Sequence, residues 1–192
     1  MGRGSAVGFL GALVAICPLA AGAQPAPAVA GGPKVLAEVG PSPSFKLFAG
    51  SEIDDIARTT NIPEMLERIG LRDPSAEISL TVAKDLAKRK GGSVVASAPA
   101  DYTVTVTSTD WTAGFYVPHR PTYNLRYGAD LVVTDASGAV VKKATCQENP
   151  DDDASAGGND VLLAHGGRKL KEIYAKAAAS CARTLMSKTK SL

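Results

Sequence analysis

The sequence predicts an α+β fold, a two-layer sandwich whose mainly antiparallel sheet carries helices on one face. Three observations lead there. Residues 101–146 read as three consecutive strands, each with one apolar face. Residues 74–90 and the stretch from Asn159 onward both place apolar side chains at helical spacing. The turn Asp135-Ala136-Ser137-Gly138 joins the second and third of these strands, which suits antiparallel neighbours.

The strands are the clearest elements. In Tyr102-Thr103-Val104-Thr105-Val106-Thr107-Ser108-Thr109, large apolar and hydroxyl residues alternate at period two. From Tyr123 to Thr134, residues Tyr123, Leu125, Tyr127, Ala129, Leu131 and Val133 share one face, while Asn124, Arg126 and Asp130 take the other. Asp135-Ala136-Ser137-Gly138 places Asp first and Gly fourth, as a type I turn favours. A third strand returns from Ala139 to Thr145 and stops at Cys146.

Taken from its start, the chain opens as an export signal over residues 1–23. Arg3 is the charged n-region, Ala6 to Leu19 the apolar h-region, and Ala21-Gly22-Ala23 the small-residue cleavage site. The apolar run is too short, and too broken by Pro18 and glycines, for a stable membrane span. Lipidation at Cys17 fits badly, because Ile16 stands where a small residue is needed. The expected location is therefore periplasmic or secreted, ahead of an outer-membrane lipoprotein.

Residues 24–43, rich in Pro, Ala and Gly, read as a flexible leader, and 44–192 as a single α+β domain. Phe45-Lys46-Leu47-Phe48 suggests a short strand, and Ser51 starts a brief helix to about Arg58. Pro63 sits at the start of another short helix ending near Gly70. Asp73-Pro74 then opens a longer helix over 74–90, with Ile78, Val82 and Leu86 as its apolar stripe. Lys84, Lys88, Arg89 and Lys90 gather toward its C-terminal end, where the helix dipole favours them, and Gly91-Gly92 stops it. Val94-Val95-Ala96 starts a strand toward Pro99.

After Cys146, residues 147–160 read as a solvated polar loop. Its Asp151-Asp152-Asp153 run fails the calcium-loop pattern, since Ala156 holds the glycine position and Leu162 the closing glutamate. The last helix carries Leu163, Leu170, Ile173, Tyr174, Ala177, Cys181 and Leu185 on one face. Gly166-Gly167 should kink or fray it up to Arg168.

Charge excludes several classes of partner. Lys+Arg number 21 against 19 Asp+Glu, and the signal removes one Arg. A mature chain so close to neutral offers no electrostatic footprint for nucleic acid. With the signal gone, Cys146 and Cys181 remain, and two cysteines in an exported chain pair as a disulfide. Only His119 and His165 supply imidazoles, with no metal-ligand spacing, no nucleophile elbow, no phosphate loop and no dinucleotide fingerprint. No metal or other cofactor is expected.

One cluster stands out in a chain poor in aromatics. Trp111, Phe115, Tyr116, His119, Arg120, Tyr123 and Arg126 are concentrated around the connection between the first two strands. Trp, Tyr and Arg dominate binding hot spots. The competing account makes Trp111 and Tyr123 a plug at the end of the core. The leading functional expectation is a non-enzymatic binding or envelope-assembly accessory whose partner is an envelope protein or surface ligand. The alternatives are a small periplasmic hydrolase using His119 and a secreted inhibitor presenting the aromatic loop.

The layout over residues 73–187 resembles small bacterial envelope proteins of largely uncharacterised function, many of them lipoproteins. Its helix ends in Gly91-Gly92, followed by Ala100-Asp101-Tyr102 leading a strand. Next come Tyr127-Gly128-Ala129-Asp130-Leu131-Val132-Val133, a turn, and a last strand and helix. It is also similar in layout to accessory domains of curli-secretion and ABC-transporter-auxiliary lipoproteins. The resemblance implies an envelope role and transfers no catalytic residue. The missing lipid-attachment motif is where this chain departs from it.

The export reading has a direct check. N-terminal sequencing of the exported protein should find a start near Gln24, and a lipid-modified Cys17 at the terminus would overturn it.

Overall fold

The computed structural model describes residues 31–49, 61–116, 122–149, 151–153 and 159–192. Chain order is β1 (Lys34–Val39), β2 (Lys46–Ala49), α1 (Ile62–Ile69), α2 (Ser75–Arg89) and β3 (Ser93–Val95). It continues with β4 (Tyr102–Tyr116), β5 (Thr122–Asp135), β6 (Val140–Glu148), β7 (Asp151–Asp153) and α3 (Asn159–Lys188). The helix read at 51–58 lies outside the described residues.

The strands form one sheet in the order β3-β1-β4-β5-β6, with β2 also pairing β4 and β7 also pairing β5. The β4–β5, β5–β6 and β5–β7 ladders are antiparallel, and β1 and β2 add to β4 in parallel. The predicted α+β architecture holds, with helices packed on the sheet: α2 lies on β1 and β4, α3 lies on β5 and β6, and the two helices pack together.

Two expectations about connections need correction. The leader assigned to 24–43 overlaps folded chain, because Lys34–Val39 is an interior strand between β3 and β4. Proline and glycine dominate the average composition there and hide a short apolar run in which Val35 is fully buried. The loop assigned to 147–160 is likewise shorter. β6 runs on to Glu148, and Asp151–Asp153 pairs with Asn124 to Thr122 of β5.

The helix signals act as the residues suggest. Asn61 caps α1, its side chain accepting from the Glu64 amide, and Gly70 closes it in the left-handed region at φ 67°. Asp73 Oδ1 accepts from the Ser75 amide at 2.8 Å at the entry to α2. Ile78, Val82, Ala83, Leu86 and Ala87 form its buried face. Ser79, also on that face, donates to the Val104 carbonyl at 2.9 Å, so its hydroxyl is not stranded in the core. In α3 the backbone leaves the helical region from Ala164 to Gly167, where the paired glycines predict a break. Gly167 has φ 66°, and a Cβ there would meet Ile69 Cδ1 of α1 at 2.9 Å.

Cys146 of β6 and Cys181 of α3 form a disulfide with Cα atoms 5.4 Å apart, both residues in the core. It fastens the last helix to the sheet across a sequence separation of 35 residues. Removing it as Cys146→Ala/Cys181→Ala should cost up to about 4 kcal/mol by loop entropy. Denaturant melts check the loss, and thiol titration of the unreduced, denatured wild type should find neither of these two thiols free.

Candidate functional site

The β4–β5 hairpin outruns its neighbours. β1 follows β4 only as far as Val106, and β6 follows β5 back only to Tyr127. Beyond those points β4 and β5 continue to Tyr116 and Thr122, flanked by the short strands β2 and β7. One end of the sheet is therefore a long ribbon whose register sets Phe115 opposite Tyr123 and Tyr116 opposite Thr122.

A β-bulge decides which residues of this ribbon belong to the core. The ladder pairs Ser108 with Ala129 but Asp110 with Gly128, so Thr109 is an extra residue. Buried apolar positions on β4 change parity across it, Val104 and Val106 before and Trp111 and Ala113 after, with Thr112 buried as well. Gly128 accommodates the bulge, since a Cβ there would lie 2.7 Å from Thr109 Oγ1.

Trp111 is thus turned inward and is only 6% exposed. Its ring meets Phe45 edge-on, with centroids 5.1 Å apart, and meets Tyr174 of α3 at 6.2 Å. Trp111 packs into this end of the core, the position that the competing account gives it. Its buried Nε1 has no hydrogen-bond partner among the described residues. Arg126 lies on the other side of the alternation and is exposed. His119 and Arg120 lie outside the described residues. Phe115, Tyr116 and Tyr123 are placed in the strands by register. The other imidazole, His165, is exposed at the break in α3 with φ 52°.

Beneath the bulge lies a polar cluster that sequence reading treated only as a helix cap. Asp73 Oδ1 accepts from Ser108 Oγ at 2.6 Å as well as from the Ser75 amide, and Asp73 Oδ2 accepts from Ser42 Oγ. Ser108 Oγ lies 2.9 Å from Tyr127 Oη. With its one proton given to the carboxylate, Ser108 accepts from Tyr127. Burial pushes the Tyr127 phenol well above its usual 10.0, and the Asp73 charge and hydrogen bond add to the rise. Tyr174 donates to the Thr112 carbonyl at 2.5 Å and is also raised, by burial first and then by the charge of Asp110. These phenols are structural donors held protonated. The sequence signal for the cluster was Ser108 and Tyr127 falling on the inward alternation, a polar pair on an apolar face.

The opposite end of the sheet carries an open depression of about 750 Å³ lined by Pro33, Lys90, Asp101, Tyr102, Asp135 and Ser137. Its polar groups are engaged within the fold. Asp101 Oδ2 accepts from the Lys34 amide at 2.7 Å, and Lys90 Nζ sits 4.9 Å from the Tyr102 ring centroid and donates to the Leu192 carbonyl at 2.6 Å. The Asp135 carboxyl is held below its usual range chiefly by the Ser137 hydroxyl. Among the described residues no group of three or more His, Cys, Asp or Glu is placed to hold a metal ion. None of the described helices is long and apolar enough to cross a membrane.

No family model and no curated protein matches this chain. Solved structures are similar to it at low identity. A PelC dodecamer from Paraburkholderia phytofirmans is 17% identical, with 83% of this chain and 90% of that chain covered and a TM-score of 0.38. A neuraminyllactose-binding hemagglutinin homolog from Helicobacter pylori is 10% identical, over 83% and 86%, at 0.41. A minor lipoprotein from Acinetobacter baumannii is 8% identical, over 74% and 91%, at 0.36.

The buried phenols make a pH prediction. Because their folded pKa values are raised, the unfolded chain loses these protons first. The stability they support is complete below about pH 10 and falls as pH rises further. Phenolate absorbance from Tyr127 and Tyr174 should appear only together with loss of the fold. Tyr127→Phe should shift the alkaline midpoint upward while costing about 1 kcal/mol at neutral pH for the lost hydrogen bond.

Proposed function

We propose that this protein is an exported, non-enzymatic accessory of the bacterial cell envelope that captures an envelope protein or surface ligand with the end of its β4–β5 hairpin. The observation that carries the reading is the overhang of that hairpin beyond β1 and β6. It sets Phe115, Tyr116 and Tyr123 at one end of the sheet, with Arg126 exposed on the same strand as Tyr123. Strands on both sides of the ribbon hold its backbone, and prolines 118 and 121 restrict the connection. Ordering entropy on association is correspondingly small. Arg120 and Arg126 supply charge-assisted donors for an anionic group on the partner. A buried disulfide belongs to an oxidising compartment, in keeping with the export signal.

Truncations at the two kinds of aromatic position separate binding from folding. Tyr116→Ala and Arg120→Ala should leave the melting temperature nearly unchanged and abolish capture of a partner from envelope extracts by the mature chain. Trp111→Ala should instead cost about 3–5 kcal/mol, as buried aromatic truncations do. Normal capture by folded Tyr116→Ala and Arg120→Ala proteins would overturn the reading, and early melting of Tyr116→Ala would assign that side chain to the core.

A further inference from the structure

α2 and α3 pack on one face of the sheet. They lie on the side where Val104, Val106, Leu131 and Val133 are buried, and the Cys146–Cys181 disulfide fixes α3 there. Residues of the other parity point away from both helices. Thr103, Thr105 and Thr107 line the middle of that second face, half-buried beside Leu36 of β1 and Val132 of β5.

The ladder register arranges this face in rows across four strands. One row runs Leu36, Thr103, Thr134, Val140 from β1 to β6, and the next runs Glu38, Thr105, Val132, Lys143. A third sets Thr107 beside Asp130 and Asp130 beside Thr145. The second row thus ends in an acid at one rim and a base at the other. Both of these side chains are exposed and form no ion pair with another described residue. Val140, at the rim of the first row, is 52% exposed.

A two-fold axis along the strands, between β4 and β5, makes each row its own complement. It lays β1 of one copy over β6 of a second, and β4 over β5. Glu38 then meets Lys143 of the second copy, and the reverse, so the ion pair forms twice. In the first row Leu36 meets Val140 and Thr103 meets Thr134; in the third, Thr107 offers its hydroxyl to Asp130. Asp130 also lies diagonal to Lys143 within its own sheet, which offsets its charge near the axis. Asp110 and Arg126 stand farther toward the hairpin, beyond the rows that meet. A head-to-tail contact would give the two rims different neighbours and leave this match unused.

From this register we infer that the helix-free face of the sheet binds a second copy of the chain, two sheets stacked in a two-fold dimer sealed at its rims by Glu38 and Lys143. The axis runs along the strands, so both β4–β5 hairpins end on the same side of the dimer. The inference is independent of what those hairpins bind.

Sedimentation equilibrium of the purified exported chain, from about 1 to about 300 μM, covers the affinities expected of a modest interface. The wild type should show a monomer–dimer equilibrium and nothing heavier. Glu38→Lys and Lys143→Glu each set like charges together at both pairs, and each should weaken self-association about ten-fold or more. Mixing the two variants restores both pairs, as does the exchanged Glu38→Lys/Lys143→Glu chain, and both should dimerise within about three-fold of wild type. Lys84→Glu, an exposed change on α2 and so on the helix side, should leave dimerisation within about two-fold because salt screens it at that distance. Melting curves verify that every variant folds. A chain that stays monomeric throughout, assembly beyond a dimer, single variants that associate like wild type, or a mixture that fails to recover would overturn the stacked dimer.

Discussion

The pairing of β4 with β5 is the constraint on which the rest of this structure depends. It is the longest ladder in the sheet, running from Tyr102 opposite Asp135 to Tyr116 opposite Thr122, and every other strand except β3 bonds to one of the two. A ladder of this length would normally fix one face along its whole course. The single extra residue at Thr109 divides it instead. Before the bulge the inward residues are Val104, Val106 and Ser108, on the face that α2 covers. After it they are Trp111 and Ala113, against Phe45 and Tyr174. Without the bulge, Trp111 would face the other side of the sheet and Tyr174 would lose one of its two edge-on partners.

The bulge needs its own support, and the polar cluster supplies it. Ser108, the last residue before the extra position, is held by the Asp73 carboxylate and by Tyr127 across the ladder. Asp73 simultaneously caps α2 through the Ser75 amide and takes Ser42 from the segment after β1. One carboxylate thus joins the helix entry, the β1–β2 connection and the irregular point of the sheet. Its cost in burial is met by several donors, the condition under which a polar group belongs in a core.

Legibility in the sequence followed the length of each periodic signal. The β4 and β5 alternations, the α2 stripe and the glycine break in α3 were readable because several residues repeat the same preference. β1 was not, since its six residues adjoin Pro33 and Gly40, and pairing with β3 and β4 outweighs the local composition. β7 escaped for a related reason: Asp151-Asp152-Asp153 has poor strand propensity and is recruited by the edge that β5 offers. For the site, aromatic enrichment located the hairpin end but could not sort its members. Trp111 and Tyr116 look equivalent in composition, and only the bulge, which leaves no periodic trace, separates the core tryptophan from the strand end.

The edges of the sheet are covered unequally along its length. β3 leaves only three residues on one side, too short a template for another chain to extend. On the other side β6 is longer, but Lys188 from α3 occupies its Thr145 carbonyl, and Lys142 and Lys143 place charge along it. The disulfide keeps α3, and with it Lys188, at that edge. Protection of β6 therefore depends on the same covalent link that completes the core. The flanks of the hairpin end are β2 and β7, strands of four and three residues. The sheet is thus covered along its main body and flanked only by short strands at its aromatic end, an asymmetry that follows from strand length.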